Sequence, residues 1–251
     1  MPPMISMRFD VDGPLLDSAR DCEAEVFRTV YGNTREQLES EYGPYEDNSV
    51  FLALALADTV VGAVRMIRPG GQAGLKTLAD IEQGPWSVDG SRSAAAAGID
   101  LESTWEIATL GVRRGTSAAG QRLSMALYHG LIAVARANAM TSFVAILDER
   151  VRRMLASVGI ITRPLPGTST APYLGSAAST PVYAHCGPLL DHQRREFPDA
   201  YRLVTLGVGL DGVAVPALDA FRVGSRAPRR TPADFVPLGA IPLSAAALVR
   251  P

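Results

Sequence analysis

TWEIATLGVRR, residues 104–114, decides how the chain is read. Its β-branched and aromatic residues and its short apolar run read as a strand over 104–112. Alternation then puts Glu106, Ala108, Leu110 and Val112 on one face and Trp105, Ile107, Thr109 and Gly111 on the other. A carboxylate inside such a strand is tolerated only with a partner. Arg113 and Arg114 follow at once, so a strand runs into a basic loop.

The sequence beyond that loop, SAAGQRLSMALYHGLIAVARANAM, carries Leu123, Leu127, Leu131 and Val134 at helical spacing and predicts a long amphipathic helix over 118–138. SFVAIL at 142–147 reads as a buried strand. Asp148 can cap a helix over 149–158 that Gly159 ends. A strand near 160–164, a Gly/Ser/Thr/Pro loop at 166–180, a strand at 180–186 and a helix at 187–197 follow.

Upstream, SVFLALALADTVVGAVRMIRP (49–69) predicts a hairpin that turns at Ala57, Asp58 and Thr59. Val61, Ala63 and Arg65 share one face of its second strand. If that strand neighbours 104–112, Arg65 and Glu106 can pair. Residues 4–11 read as a strand, 15–31 as a helix opened by Pro14, 34–42 as a short polar helix and 75–81 as a helical piece. Residues 83–103 read as a mobile loop. The order of elements indicates an α/β domain with a mixed, mostly antiparallel sheet flanked by helices. It is expected to occupy 1–197, with a Pro/Ala/Gly-rich extension over 198–251.

The 251 residues are 47% hydrophobic, enough for a sizeable core, and the net charge of −2 argues against a general nucleic-acid or anionic-membrane binder. Lys76 is the only lysine. Cys22 and Cys186 lie far apart and read as free thiols. With no signal-like start and no apolar run long enough to span a bilayer, the expected location is the cytoplasm. His185, Cys186 and His192 lack a companion pair of ligands, so no metal is expected. Ser117 and Ser124 show no Ser-His-acid spacing, and His129, Trp86 and Trp105 read as packing residues first.

VRRGTSAAGQRLS, 112–124, joins a strand to a helix through small residues and arginines. Helix-start N–H groups with Arg113, Arg114 and Arg122 suit a phosphate such as that of coenzyme A or a phosphopantetheine arm. Here the chain resembles the GNAT superfamily of N-acyltransferases, and more closely acyl-homoserine-lactone (autoinducer) synthases and long-chain N-acyl amino acid synthases. Four passages carry the resemblance: EAEVFRTVYG (23–32), YEDNSVFLALALADTVVGAVRMIRP (45–69) with its Gly-x-x-Arg, STWEIATLGV (103–112), and STPVYA (179–184) after Leu174-Gly175.

The resemblance implies a GNAT-like fold and transfer of a fatty acyl group from acyl-CoA or acyl carrier protein to the amine of an amino acid or derivative. Arg65, Glu46 with Asp47, and Glu106 would shape the amine site, with Glu106 assisting deprotonation and Arg65 holding an acidic group. Trp105 and Thr109 join them as candidate substrate contacts. Backbone N–H groups around Leu110 to Val112 would steady an oxyanion, and Arg113, Arg114, Gly120 and Arg122 would hold the pantetheine and phosphates. The glycine-rich phosphate signature of ordinary GNAT enzymes is degraded to AGQRLSMAL (119–127), and the chain departs from the pattern at three further places near the amine pocket. The Ser-Arg after Trp-Glu-Ile is Ala108-Thr109, the early arginine falls on Glu23, and a later tryptophan is replaced around Asn33. S-adenosylmethionine is therefore not carried over as the acceptor. A CoA-dependent acetyltransferase and a catalytically silent acyl-ligand binder stand as alternatives, and a homodimer is left open.

Overall fold

The computed structural model describes residues 5–113 and 117–224, without the side chains of 117–121. The chain begins with β1 (Ile5–Phe9) and α1 (Gly13–Tyr31). Pro14 sits in the first turn of α1, and Gly32 closes it at φ 78°, its N–H returning to the Arg28 carbonyl. α2 (Arg35–Tyr42) opens with a reciprocal cap. Thr34 Oγ1 accepts from the Gln37 N–H while Gln37 Oε1 accepts from the Thr34 N–H. A 3-10 turn, Gly43–Asn48, leads into the hairpin of β2 (Ser49–Leu56) and β3 (Thr59–Ile67). α3 (Lys76–Glu82) and α4 (Gly90–Ala96) precede β4 (Thr104–Val112). Then come α5 (Ser117–Ala137), β5 (Ser142–Asp148), α6 (Glu149–Ser157), β6 (Arg163–Pro164), β7 (Ala171–Tyr173), β8 (Ser176–His185) and α7 (Cys186–Glu196).

The sheet order is β6-β8-β5-β4-β3-β2-β1-β9, with β7 on β8, where β9 is Val213–Ala214. Pairing is antiparallel except for β4 with β5 and β1 with β9. β2 and β3 are nearly continuous apolar runs because both faces are covered. Val50, Leu52, Leu54, Val64 and Met66 pack with α5 on one face, while Phe51, Ala53 and Ala63 pack with α1 on the other.

Two local expectations change. Within 83–103, Gly90–Ala96 form α4, capped by Asp89 accepting from the Arg92 N–H, with Ser93 and Ala94 buried. The alanine run is a good helix former, and an added Cβ on Gly90 would stand 2.5 Å from the Leu78 carbonyl oxygen, so glycine lets α4 approach α3. Residues 198–224 pack on the same core. A π-helix, Tyr201–Thr205, lies against α5, and Phe221 is fully buried with its carbonyl accepting from Asn138 Nδ2.

Candidate functional site

The site is built on a defect in β4. Arg65 faces Thr109 across the ladder and Met66 faces Ile107, so Ala108 is an extra residue on β4. A bulge of this kind shifts the alternation by one. Trp105, Ile107, Leu110 and Val112 consequently pack with the α5 side. Thr109 and Gly111 join Glu106 on the α1–α3 side, where Thr109 reaches Glu23 and Gly111 meets Val26. The two faces predicted from strict alternation are corrected accordingly.

The bulge also undoes the expected pairing of Arg65 with Glu106. Arg65 Nε donates to Glu23 Oε1 at 3.0 Å, and Nη2 donates to Glu23 Oε2 at 2.8 Å. Its Nη1 donates to Glu46 Oε2 at 2.8 Å. Arg20 pairs with the other Glu46 oxygen. The Arg65 guanidinium lies 4.9 Å from the Tyr42 ring centre and 4.6 Å from that of Phe51. Burial works against the Arg65 charge, but Glu23 and Glu46 outweigh it and hold its pKa above the ordinary value. Burial likewise opposes ionisation of Glu46, and Arg20 and Arg65 more than offset it, keeping that carboxyl below its usual range. The acidic groups that Arg65 holds are thus the chain's own.

Glu106 is 3% exposed and sits opposite Ile67. Its Oε2 accepts from the Thr77 N–H in α3 at 2.8 Å. Burial pushes its pKa up to about 7 against the pull of that hydrogen bond. α3 is pinned in turn by Lys76, whose buried Nζ donates to Glu41 and Asp80, each at 2.7 Å, and to Tyr173 Oη at 3.1 Å. Glu106 lines neither of the two cavities described next, contrary to its expected place in a cleft wall.

The first cavity, about 370 Å³, follows from the way β4 and β5 diverge. They pair only over 104–106 and 142–144, and beyond that β5 continues with β8 alone. The gap is walled by residues 107–112 of β4, by Phe143 and 145–148 of β5, by α6, and by Tyr128, Leu131, Ile132 and Ala135 on one stripe of α5. The Arg113 N–H donates to Val61 of β3, so by alternation the N–H groups of Val112 and Leu110 point to the open edge. The second cavity, about 330 Å³, is polar and is bordered by Arg20, Glu23, Arg35, Glu39, Tyr42, Glu46 and Arg65. The two meet at one bond: Thr109, in the wall of the first, donates to Glu23, in the wall of the second, at 2.5 Å.

The remaining candidates are scattered. Asp47 lines neither cavity, and its carbonyl accepts from Arg68. Trp105 is a core residue toward α5. Arg113 is paired with Glu25, Arg122 is exposed on α5, Gly120 lies in the first turn of α5, and Arg114 is outside the described residues. Cys22 and Cys186 are free thiols. Among the described residues no cluster of three or more His, Cys, Asp or Glu is placed to hold a metal ion, and no helix is long and apolar enough to cross a membrane. Glu23 entered the sequence reading only as a departure from the family pattern, and here it is the hub of the polar pocket.

No protein-family model matches the chain, and no curated protein matches its sequence. Solved structures do. The N-acyl amino acid synthase FeeM from uncultured soil microbes superposes with a TM-score of 0.54 at 14% identity, covering 76% of this chain and 95% of that one. The CoA-dependent acyl-homoserine lactone synthase BjaI, solved with MTA, superposes with a TM-score of 0.51 at 18% identity over 87% of this chain and 96% of that one. The same enzyme with SAM and isopentyl-CoA gives 0.50. The likeness is one of fold, and it is the GNAT-like fold that the resemblance implied.

Proposed function

We propose that this chain is an N-acyltransferase that moves a fatty acyl group from a CoA or acyl-carrier thioester to the amine of an amino acid or derivative. One observation carries this reading: an apolar cavity opens where β4 and β5 part, and it shares the Thr109–Glu23 contact with a polar pocket. Cavities of about 150 Å³ admit benzene, so 370 Å³ has room for a chain of roughly a dozen carbons. That volume favours a fatty acyl group over acetyl. The activities in the names of FeeM and BjaI support the same class of chemistry.

In this reading the acceptor lies in the polar pocket and its amine attacks the thioester carbonyl at the junction. The C–N bond forms, the C–S bond breaks, and the thiolate leaves. The N–H groups of Leu110 and Val112, at the open edge of β4, receive the developing oxyanion. Glu106, which lines neither cavity, acts at one remove and takes up the amine proton through a bridging water. Its pKa near 7 lets it accept and release a proton at neutral pH. Arg65 is a positioning residue that keeps Glu23 and Glu46 aimed at the pocket. Arg114, Gly120 and Arg122 are assigned the pantetheine and phosphate end.

The test is thiol release from a series of acyl-CoA and acyl-carrier donors with pooled amino acids, with product mass as the second readout. Amine-dependent release that grows with chain length supports the reading. Release with acetyl-CoA alone returns the chain to the acetyltransferase class, and ligand stabilisation without any release returns it to a silent binder.

A further inference from the structure

Lys76 opens α3 and is 2% exposed. Both placements work against it. The start of a helix is its positive pole, where a carboxylate is welcome and an ammonium is not, and burial removes the water that a lysine charge prefers. The side chain is kept there by its bonds. Nζ donates to Glu41 Oε2 of α2 and to Asp80 Oδ2 of α3, each at 2.7 Å, and to Tyr173 Oη of β7 at 3.1 Å. All three ammonium protons are thereby used. The Tyr173 hydroxyl donates in turn to Asp80. One cation knots α2, α3 and β7 together.

The residue after Lys76 is Thr77, whose N–H is the donor to Glu106 Oε2 at 2.8 Å. That N–H is one of the helix-start groups with no partner inside α3, so the place of this first turn decides whether Glu106 has its hydrogen bond. Ile67 and Val144 flank Glu106 on the neighbouring strands, and their side chains are apolar. The titratable groups that face Glu106 are Lys76 and Asp80 of α3, Tyr42 of α2, Tyr45 of the 3-10 turn and Tyr173 of β7. Burial keeps the three phenols neutral. Of these groups, Lys76 and Asp80 bring the charge: the ammonium favours the ionised form of Glu106 and the Asp80 carboxylate opposes it.

We infer that Lys76 is a positioning residue for the proposed proton transfer: through the first turn of α3 it holds the Thr77 N–H against Glu106 and keeps that carboxyl ready to take up and release a proton. The inference rests on reading Glu106 as the proton acceptor, and two readouts keep the two apart. One is the pH dependence of kcat/KM. The other is the pH dependence of urea unfolding with and without Glu106→Gln, which follows Glu106 whether or not the chain turns over. Lys76→Met is expected to move both limbs up by about one pH unit, because it removes an opposite charge and frees the helix start. Lys76→Arg keeps the charge and is expected to leave them near 7. Asp80→Asn leaves Lys76 its bonds to Glu41 and Tyr173 and is expected to move both limbs down, a result that decides the matter even where Lys76→Met does not fold. Limbs that stay in place in all the folded variants, as for a lysine that only braces the fold, or that move up in Asp80→Asn, overturn the role of Lys76 and leave Glu106 as the acceptor. An unfolding limb that moves beside an activity limb that does not overturns Glu106 as the acceptor, and this inference with it.

Discussion

The Thr109 hydroxyl and the Glu23 carboxylate, 2.5 Å apart, tie an apolar cavity to a polar pocket through a single hydrogen bond. Thr109 reaches that position because Ala108 bulges out of β4, and Glu23 because α1 packs over β3 and β4. Thr109→Val keeps the shape and removes the donor. It is expected to lower kcat/KM for the amine about tenfold, the cost of one charge-assisted hydrogen bond, while Thr109→Ser stays near wild type. Steady-state kinetics with the amine varied at saturating thioester check this. Equal rates for the valine and serine variants would remove the bond from the mechanism.

The buried Arg65–Glu23 pair predicts a stability effect separate from catalysis. Arg65→Met leaves the Glu23 carboxylate buried without its partner and is expected to cost about 3–5 kcal/mol. Replacing both, as Arg65→Met with Glu23→Leu, should recover much of that loss. Urea unfolding of the two single variants and the double variant measures the coupling.

Glu106 is expected to link activity and stability to pH in opposite directions. Its folded pKa, about 7, lies above its ordinary value of 4.5. The stability from keeping it protonated is complete below pH 4.5 and is lost as pH rises through 7, a change of about 3 kcal/mol. Activity should rise over the same upper limb as the base ionises. Glu106→Gln is expected to lower turnover ~10²-fold, to flatten the activity limb near pH 7, and to be no less stable than wild type at pH 8. A folded glutamine variant with near-normal turnover would end the assignment of Glu106 as proton acceptor.

Gly111 has no room for a side chain: an added Cβ would lie 2.6 Å from Val26 Cγ1 on α1. Gly111→Ala should therefore push α1 away from β4 and cost about 1–3 kcal/mol. Val26→Ala in the same chain should restore part of it. Thermal unfolding of the single and double variants tests the contact, and additive losses would count against it.

Much of this architecture was legible because its signals are local. The turn at Ala57–Thr59, the stripe of Leu123, Leu127, Leu131 and Val134, and the Asp148 cap each lie within a few residues of what they determine. The alanine run and Asp89 before α4 were local signals too, and reading 83–103 as a loop passed over them. The site depends on longer relationships. Nothing in WEIATLG marks Ala108 as the bulge, and that one residue decides whether Glu106 or Thr109 stands beside Arg65. Arg65 and Glu23 are 42 residues apart and meet only after α1 has packed on the sheet. Tyr128 continues an ordinary apolar helix stripe, and only the parting of β4 and β5 leaves a cavity beside it.

Lys76 bears on self-modification. It holds the only side-chain amine in the sequence, and that amine is buried between Glu41 and Asp80. Burial disfavours its charge, yet the two carboxylates raise its pKa and keep it an ammonium. An ammonium has no lone pair to attack an acyl donor. If the chain handles activated thioesters as proposed, it presents them with no free lysine amine of its own, because its single lysine is buried and held charged.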